Sequence, residues 1–167
     1  MTIENNNGII VLKYYYKEAN MTGVLKISEA ANLAIHAVTY IASNNDHKVS
    51  TKELASFHNV SEAHLSKVLQ RLVKSGFLKS VRGPKGGFVI AKPFNEIKLL
   101  DIYEVFEGIF TSTNCLFETP VCGRKTCVFG DLFQELNIKV INYLSRTLYD
   151  VIQSEKGISN AQKNNQD

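Results

Sequence analysis

The sequence lacks several features that would assign it to a membrane, secreted or enzymatic class. No run of about 18 uncharged apolar residues is present, so no transmembrane helix is expected. The first residues do not combine a basic stretch with a following apolar stretch, which argues against a secretory signal. No nucleophile elbow, phosphate-binding glycine loop, dinucleotide-binding glycine pattern or His-Glu-x-x-His motif occurs. We therefore expect a cytoplasmic protein that has no membrane partner and is not an enzyme.

Cysteine is scarce, and its three copies are clustered at Cys115, Cys122 and Cys127. An odd, closely spaced set is a poor disulfide framework, and in a reducing compartment it is more typical of metal binding or redox chemistry. Thiolates bind both iron–sulfur clusters and zinc, and the spacing does not separate these two cofactors. Three free thiols are the remaining alternative. A cluster or zinc ion needs four ligands, so a fourth ligand would come from another residue or an exogenous thiol.

Positive charge is concentrated in the middle of the chain. The segment from Lys48 to Lys92 contains nine Lys or Arg residues and two acidic residues, whereas the whole chain has a net charge of only +3. Such a segment favours contact with a polyanion, although a solvated charged surface would give the same count.

Three helices are predicted in the first half of the chain. The first runs from Ser28 to Ser43, and Asn44 and its neighbours end it. The second starts with a capping box of Ser50 and Glu53. The third begins at Ser61 and carries an apolar stripe at helical spacing, formed by Leu65, Val68, Leu69, Leu72 and Val73.

After Gly76 the apolar period changes from helical to alternating. Residues 77–81 and 88–91 read as two short strands around a basic, glycine-rich turn, RGPKGG. Helix, short helix, helix and basic hairpin is the order of a winged helix-turn-helix. We therefore predict a mainly α fold with a small β-hairpin wing.

The second half of the chain is predicted to hold a short helix and one long C-terminal helix. The long helix is expected to run from near Cys127 to about Gln153 with apolar residues every three or four positions. Such a stripe is most simply buried against a second copy, although packing on its own domain is the alternative. The domain scheme is a 1–22 extension of unknown role, a 23–95 winged helix-turn-helix, a 96–126 short helix and cysteine loop, a 127–155 dimerisation helix and a 156–167 disordered tail.

The basic segment supplies candidate contacts to double-stranded DNA. The second helix of a helix-turn-helix enters the major groove, where its side chains reach base edges and phosphates. An arginine on a glycine-flanked wing suits a narrow minor groove. The predicted DNA-binding residues are Ser61, His64, Ser66, Lys67, Gln70, Lys74, Arg82, Gly83, Lys85 and Gly86.

The segment LVKSGFLKSVRGPKGGF at residues 72–88 closely resembles the wing of the IscR/NsrR family of bacterial transcription regulators, also called the BadM or Rrf2 type. The resemblance extends over about residues 25–153, including the cysteine loop. It implies a homodimeric regulator, usually a repressor, that binds palindromic operators. It also implies that Arg82 enters the minor groove and that an iron–sulfur cluster senses redox state, nitric oxide or iron.

The fourth cluster ligand departs from the patterns of such relatives. Some have a histidine where this chain has Gly130, and others have a carboxylate where it has Asn32. His36, contributed by the partner subunit, is the remaining candidate, with Asp131 and Glu118 weaker. Whether the cluster has two or four irons stays open, as do a cluster-free thiol switch of the same fold and a zinc-binding protein–protein adaptor.

Overall fold

The order of structural elements agrees with the sequence-based expectation, with three helices before a β-hairpin. The computed structural model describes residues 27–83, 86–112 and 128–154. Its elements are α1 (Glu29–Ser43), α2 (Thr51–His58), α3 (Glu62–Lys74), β1 (Leu78–Val81), β2 (Gly87–Ile90), a 3-10 helix (Phe94–Glu96), α4 (Leu99–Glu107) and α5 (Leu132–Leu144), and residues 148–154 are also helical. The predicted fold class is confirmed. Among the described residues, no helix combines the length and apolar character needed to cross a membrane.

Several predictions concern residues outside the described ranges. They include the whole 1–22 extension, residues 113–126 of the cysteine loop and the whole 156–167 tail. Four predicted site residues fall there as well: Lys85, Cys115, Cys122 and Cys127.

Side-chain caps fix the starts of the first three helices. The hydroxyl oxygens of Ser28, Ser50 and Ser61 each accept the backbone N–H three residues later, at 3.1–3.2 Å. Glu53 completes the predicted capping box, because its carboxylate accepts the N–H of Ser50 at 3.4 Å. A left-handed Asn59, with φ 53°, then turns the chain between α2 and α3. These caps determine where each helix begins, and Asn59 sets the turn between α2 and α3.

Leu99 and Tyr103 of α4 form a small apolar cluster with Leu144 of α5, and the remaining apolar faces form one main core. α1 and α3 supply most of it, and the hairpin, α4 and the C-terminal helical residues close it. Fully buried members include Ile41, Leu54, Leu65, Leu69, Leu72, Leu78, Ile97, Ile102 and Leu148.

The wing is anchored to the loop between α1 and α2. β1 and β2 pair antiparallel, with Leu78 opposite Ile90. On the other side of β2, the N–H of Val49 donates to the carbonyl of Phe88 at 3.2 Å, and the N–H of Phe88 donates back at 2.9 Å. Gly87 is needed at this junction, because a Cβ there would lie 2.6 Å from the carbonyl oxygen of Val49.

The expected single helix from Cys127 to Gln153 is wrong in its extent. α5 begins only at Leu132 and ends at Leu144, which gives 13 residues and a length of about 20 Å. Residues 145–147 form a break before the chain becomes helical again at 148–154. Leu148, predicted to lie on the stripe of the long helix, is fully buried in the common core.

A second capping arrangement explains the break. The carboxylate of Asp150 accepts the N–H of Thr147 at 2.9 Å, and the hydroxyl of Thr147 accepts the N–H of Asp150 at 3.2 Å. These bonds start a new helix. The chain beside them pairs with the start of α4, since the N–H of Leu148 donates to the carbonyl of Ile97 at 2.8 Å. The C-terminal helical residues therefore pack on their own winged-helix core, the alternative that the sequence left open.

Candidate DNA-binding surface and metal ligands

The outer surface of α3 carries a continuous polar and cationic strip. Opposite the buried stripe lie Ala63, Lys67, Gln70 and Lys74, at successive intervals of four, three and four residues. All four are exposed, and Ser66 lies half-buried beside them. Gln70 can both donate and accept hydrogen bonds, whereas the two lysines only donate. We call these four residues the α3 face.

Two predicted contacts at the start of α3 have other roles in the fold. The hydroxyl of Ser61 is the helix cap, accepting the N–H of His64 at 3.2 Å. The imidazole of His64 points along the flank of α3, where its Nδ1 lies 3.8 Å from a carboxylate oxygen of Glu29 on α1. Both residues border the α3 face without belonging to it.

The wing turn needs glycine at two of the predicted positions. Gly83 has φ 116°, a conformation that side chains rarely adopt. Gly86 donates its N–H to the carbonyl of Gly83 at 2.9 Å, and a Cβ on Gly86 would lie 2.3 Å from the carbonyl oxygen of Val81. Arg82 stands exposed beside this tight turn.

Two cations outside the predicted set lie beside this surface. Arg71 lines a groove with Lys67 and Lys74 on one side of α3. Lys92 lines a second groove with Lys79 and Arg82 along the wing, and its Nζ lies 5.1 Å from the ring centre of Phe77. The spacing of Arg71 from the two lysines could have indicated its position, but no sequence signal placed Lys92.

A hydrogen-bonded chain of polar side chains fixes the loop to which the wing is anchored. The imidazole of His47 lies 2.9 Å from Asp46 and 3.2 Å from Glu53. The hydroxyl of Tyr40 donates to the same oxygen of Glu53 at 3.2 Å. Both hydrogen bonds raise the pKa of His47 above its ordinary value, and the one with Asp46 has the larger effect.

We expect NMR titration of the His47 ring to give a pKa above the unfolded-state value of about 6.5. Because the folded pKa is the higher one, the stabilisation is complete below about 6.5 and is lost as the pH rises through the folded value. The free energy of unfolding in urea should therefore differ more between the wild type and His47→Gln below about pH 6.5 than above the folded-state pKa. Asp46→Asn should lower the His47 pKa, and a pKa at or below 6.5 in the wild type would contradict the prediction.

His36 is the predicted metal ligand that the structure describes. It is exposed on α1, and its ring centre lies 6.0 Å from that of His58. Burial, and to a smaller extent His36, lowers the pKa of His58. No group of three or more His, Cys, Asp or Glu side chains suited to a metal occurs among residues 27–83, 86–112 and 128–154. The relation of His36 to the cysteines therefore stays a prediction.

An apolar groove runs between α1, α5 and the C-terminal helical residues. His36 and Asn32 lie in its wall, together with Ile35, Val140 and Leu144. The buried residues of α5 are Phe133, Asn137 and Leu144, and apolar side chains on both sides of them remain exposed: Leu132, Ile138, Ile141 and Tyr143. Several exposed apolar side chains grouped on one helix are typical of a protein interface.

Known proteins match most of this chain. A family model for Rrf2, described as an iron-dependent transcriptional regulator, matches residues 27–154. A protein of Aquifex aeolicus, whose name assigns it to the HTH-type transcriptional regulators, is 31% identical over 133 residues, covering 77% of this chain and 92% of that protein. The structure of CymR, the global cysteine regulator of B. subtilis, matches with a TM-score of 0.64 and 27% identity over 78% of this chain and 98% of that chain. T. potens IscR matches with a TM-score of 0.59 and 26% identity, over 78% and 88% of the two chains.

A helix-turn-helix with a cationic outer surface, followed by a glycine-rich wing, defines the class of winged-helix DNA-binding regulators. Within that class, the chain belongs to the Rrf2 family of transcription regulators. The resemblance that the wing sequence indicated is thereby confirmed. The family consists of transcriptional regulators rather than enzymes.

Proposed function

We propose that this protein is a homodimeric repressor that binds a palindromic operator and senses redox state, nitric oxide or iron through an iron–sulfur cluster. The observation that carries the proposal is the three-cysteine set, which follows α4 in a chain whose family model is described as iron-dependent. The match to T. potens IscR also supports this proposal. The protein would work in the cytoplasm, together with the DNA it regulates.

The DNA-binding part of the proposal rests on two surfaces. The α3 face would enter the major groove, where Gln70 and Lys67 would reach bases and Lys74 would contact a phosphate. Arg82, exposed beside a tight turn, would enter the minor groove. Lys85 and Gly86 would bring the wing close to the sugar-phosphate backbone.

Arg82→Ala should weaken operator binding by roughly 1–3 kcal/mol, because it removes a wing cation together with its minor-groove contact. Fluorescence anisotropy at one fixed salt concentration measures the effect, since affinity for DNA depends steeply on salt. Arg82→Lys is the matched control, because it keeps the charge and loses the planar guanidinium. Equal affinity of Arg82→Ala and the wild type would remove the wing from the binding surface.

The cofactor part assigns Cys115, Cys122 and Cys127 as ligands, with His36 of the partner subunit as the fourth. Three thiolates and one neutral imidazole are a donor set that iron–sulfur clusters accept. His36 is exposed and lies in the wall of an apolar groove, so its ring nitrogens are accessible to a group from outside its own subunit. The cluster would supply a centre that reacts with oxidants and nitric oxide. Zinc is the alternative occupant, and the number of irons stays open.

The dimer part rests on α5. Its exposed apolar residues and the adjacent groove between α1 and α5 are surfaces that a second α5 could cover. A dimer bound to one side of B-DNA must present its two recognition helices about 34–36 Å apart. A change in the cysteine segment, which joins α4 to α5 along the chain, would alter that separation and hence the affinity for the operator.

Anaerobic purification followed by a visible spectrum and analysis of iron, zinc and sulfide tests the proposal. A coloured protein with stoichiometric iron and sulfide, whose operator affinity changes when the cluster is lost, is the expected result. A colourless protein that contains neither iron nor zinc and keeps its operator affinity would refute cluster sensing.

A cluster-free thiol switch is the second candidate. The observation that favours it is the match to CymR, because a solved structure of Staphylococcus aureus CymR, 26% identical to this chain, is described as an oxidized form. In this case metal analysis of the anaerobic protein would find no iron, while a thiol oxidant would still change the operator affinity. A zinc-binding adaptor without a DNA role would instead contain zinc and lack the steep salt dependence of duplex binding.

A further inference from the structure

Arg71 lies among the cations of α3 but is held by another helix. Its guanidinium donates a hydrogen bond to the backbone carbonyl of Val105. The same group lies over the ring of Phe106, with its central carbon 4.7 Å from the ring centre. Lys67 and Lys74, one turn before and after Arg71, are exposed beside it. The arginine therefore joins the flank of the α3 face to α4.

Arg71 contacts the last turn of α4, where a positive charge is favourable. The final carbonyls of a helix have no partner inside the helix, and they form the negative end of its dipole. Val105 lies in this last turn, and α4 has no basic residue of its own there. Arg71 supplies the missing donor and positive charge from α3, and it adds a stacking contact with Phe106.

The same turn of α4 is tied to other parts of the fold. The carboxylate of Glu107 accepts the N–H of Ser28 at the start of α1, at 2.9 Å. The carboxylate of Glu104 accepts the N–H of Phe110 at 3.0 Å, just after the chain reverses at Gly108 with φ 85°. The end of α4 is thus a junction at which α1 and α3 meet the chain that continues toward the cysteines.

We propose that Arg71 is a positioning residue that sets the orientation of the recognition helix against α4, rather than a phosphate contact. Arg71 is exposed like Lys67 and Lys74, but its guanidinium donates to Val105 and lies over Phe106, whereas the two lysines present their charges to solvent. This inference rests only on the DNA-binding part of the proposed function. It adds α4 to the elements that determine how the α3 face meets DNA.

A substitution of Arg71 that keeps its charge distinguishes a positioning residue from a phosphate contact. The probes are a duplex selected by the wild-type protein from a random-sequence pool and a scrambled duplex of the same length, each measured over a range of salt. We expect Arg71→Lys to lower the affinity for the selected duplex about tenfold, which corresponds to about 1.4 kcal/mol, because lysine lacks the planar fork that meets Val105 and Phe106. The slope of affinity against salt should stay unchanged. Lys74→Gln, the phosphate control, should lower that slope by about 1 and weaken both duplexes alike.

Phe106→Leu tests the same contact between α3 and α4 without changing the charge of the protein. It should lower the affinity for the selected duplex as Arg71→Lys does, with the salt slope again unchanged. Wild-type affinity in Arg71→Lys, combined with a slope reduced by about 1 in Arg71→Gln, would overturn the proposal and make Arg71 a phosphate contact. Affinity of Phe106→Leu within about twofold of the wild type would overturn it too.

Amide hydrogen exchange keeps this inference distinct from DNA binding itself. The N–H of Gly108 donates to the carbonyl of Glu104 at 3.1 Å and reports on the last turn of α4. We expect it to exchange faster in Arg71→Lys than in the wild type or in Lys74→Gln, in free protein. If the Gly108 amide exchanges at the same rate in Arg71→Lys and in the wild type, Arg71 does not hold the last turn of α4, even if the protein binds DNA. A wild-type protein that binds no duplex would refute the DNA-binding proposal instead.

Discussion

Cys122→Ala purified anaerobically should be colourless, with iron and sulfide reduced to background. Removing one of three thiolates leaves a four-ligand site with too few strong donors to retain a cluster. The fold should survive, because the core of the described residues is built from apolar side chains of α1, α3 and their neighbours, which the substitution leaves unchanged. The circular dichroism spectrum and the dimeric mass should therefore match those of the wild type. Visible absorbance, metal analysis and light scattering on one preparation provide the check.

Thr126→Ala is the matched control for the cysteine substitution, because it changes a neighbouring side chain in the same segment. It should keep colour, iron and sulfide. A Cys122→Ala protein that retains full iron and the wild-type spectrum would remove Cys122 from the ligand set. An unfolded variant would mean that the segment stabilises the winged helix, contrary to the expectation.

A pair of histidine variants tests the fourth ligand separately. His36→Ala should shift the visible spectrum and accelerate loss of iron, because the cluster would lose a partner-subunit ligand. His58→Ala, whose ring lies 6.0 Å from that of His36, should leave the spectrum unchanged. Identical spectra for both variants and the wild type would exclude His36 and direct attention to the weaker candidates Asp131 and Glu118.

Local sequence patterns predicted the winged helix well because its determinants are local. The capping box of Ser50 and Glu53 and the helical stripe of α3 each depend on side chains a few residues apart. The same kind of signal was present at Thr147 and Asp150, where it begins a new helix. An apolar period that continues through these residues outweighed it, so the sequence interpretation merged two helices. A continuous period therefore does not establish a continuous helix.

Contacts between distant elements were the part that the sequence could not supply. From the sequence, Arg71 resembles any other cation on an amphipathic helix, and only the fold shows that α4 lies against its side chain. His64 likewise resembles a base contact until Glu29 is found 3.8 Å away. Both cases involve residues on the side of α3, where the helical period leaves burial undecided. Lys67 and Gln70, at the centre of the α3 face, are exposed as a DNA contact requires, and their contact with DNA stays a prediction.

The double substitution Ile138→Glu with Ile141→Glu should convert the proposed dimer to a monomer. Both side chains are exposed on α5, Ile138 by 52% of its surface, so a single chain should tolerate the change with little loss of stability. In a dimer that covers these residues, two carboxylates from each subunit would be buried without partners, which is strongly unfavourable. Light scattering should give the 18.7 kDa mass of one chain instead of twice that value.

Operator binding provides the second readout of the same variant. Two recognition helices held in one dimer bind two half-sites together, so separating them should lower the affinity for a palindrome by about 100-fold or more. Affinity for a single half-site should change little, because the α3 face and the wing are untouched. Asn142→Glu, which adds one carboxylate at an exposed polar position of α5, should leave both mass and affinity unchanged. A double variant that remains dimeric would show that α5 is not the interface, whereas a monomeric variant with full palindrome affinity would show that DNA binding does not need the dimer.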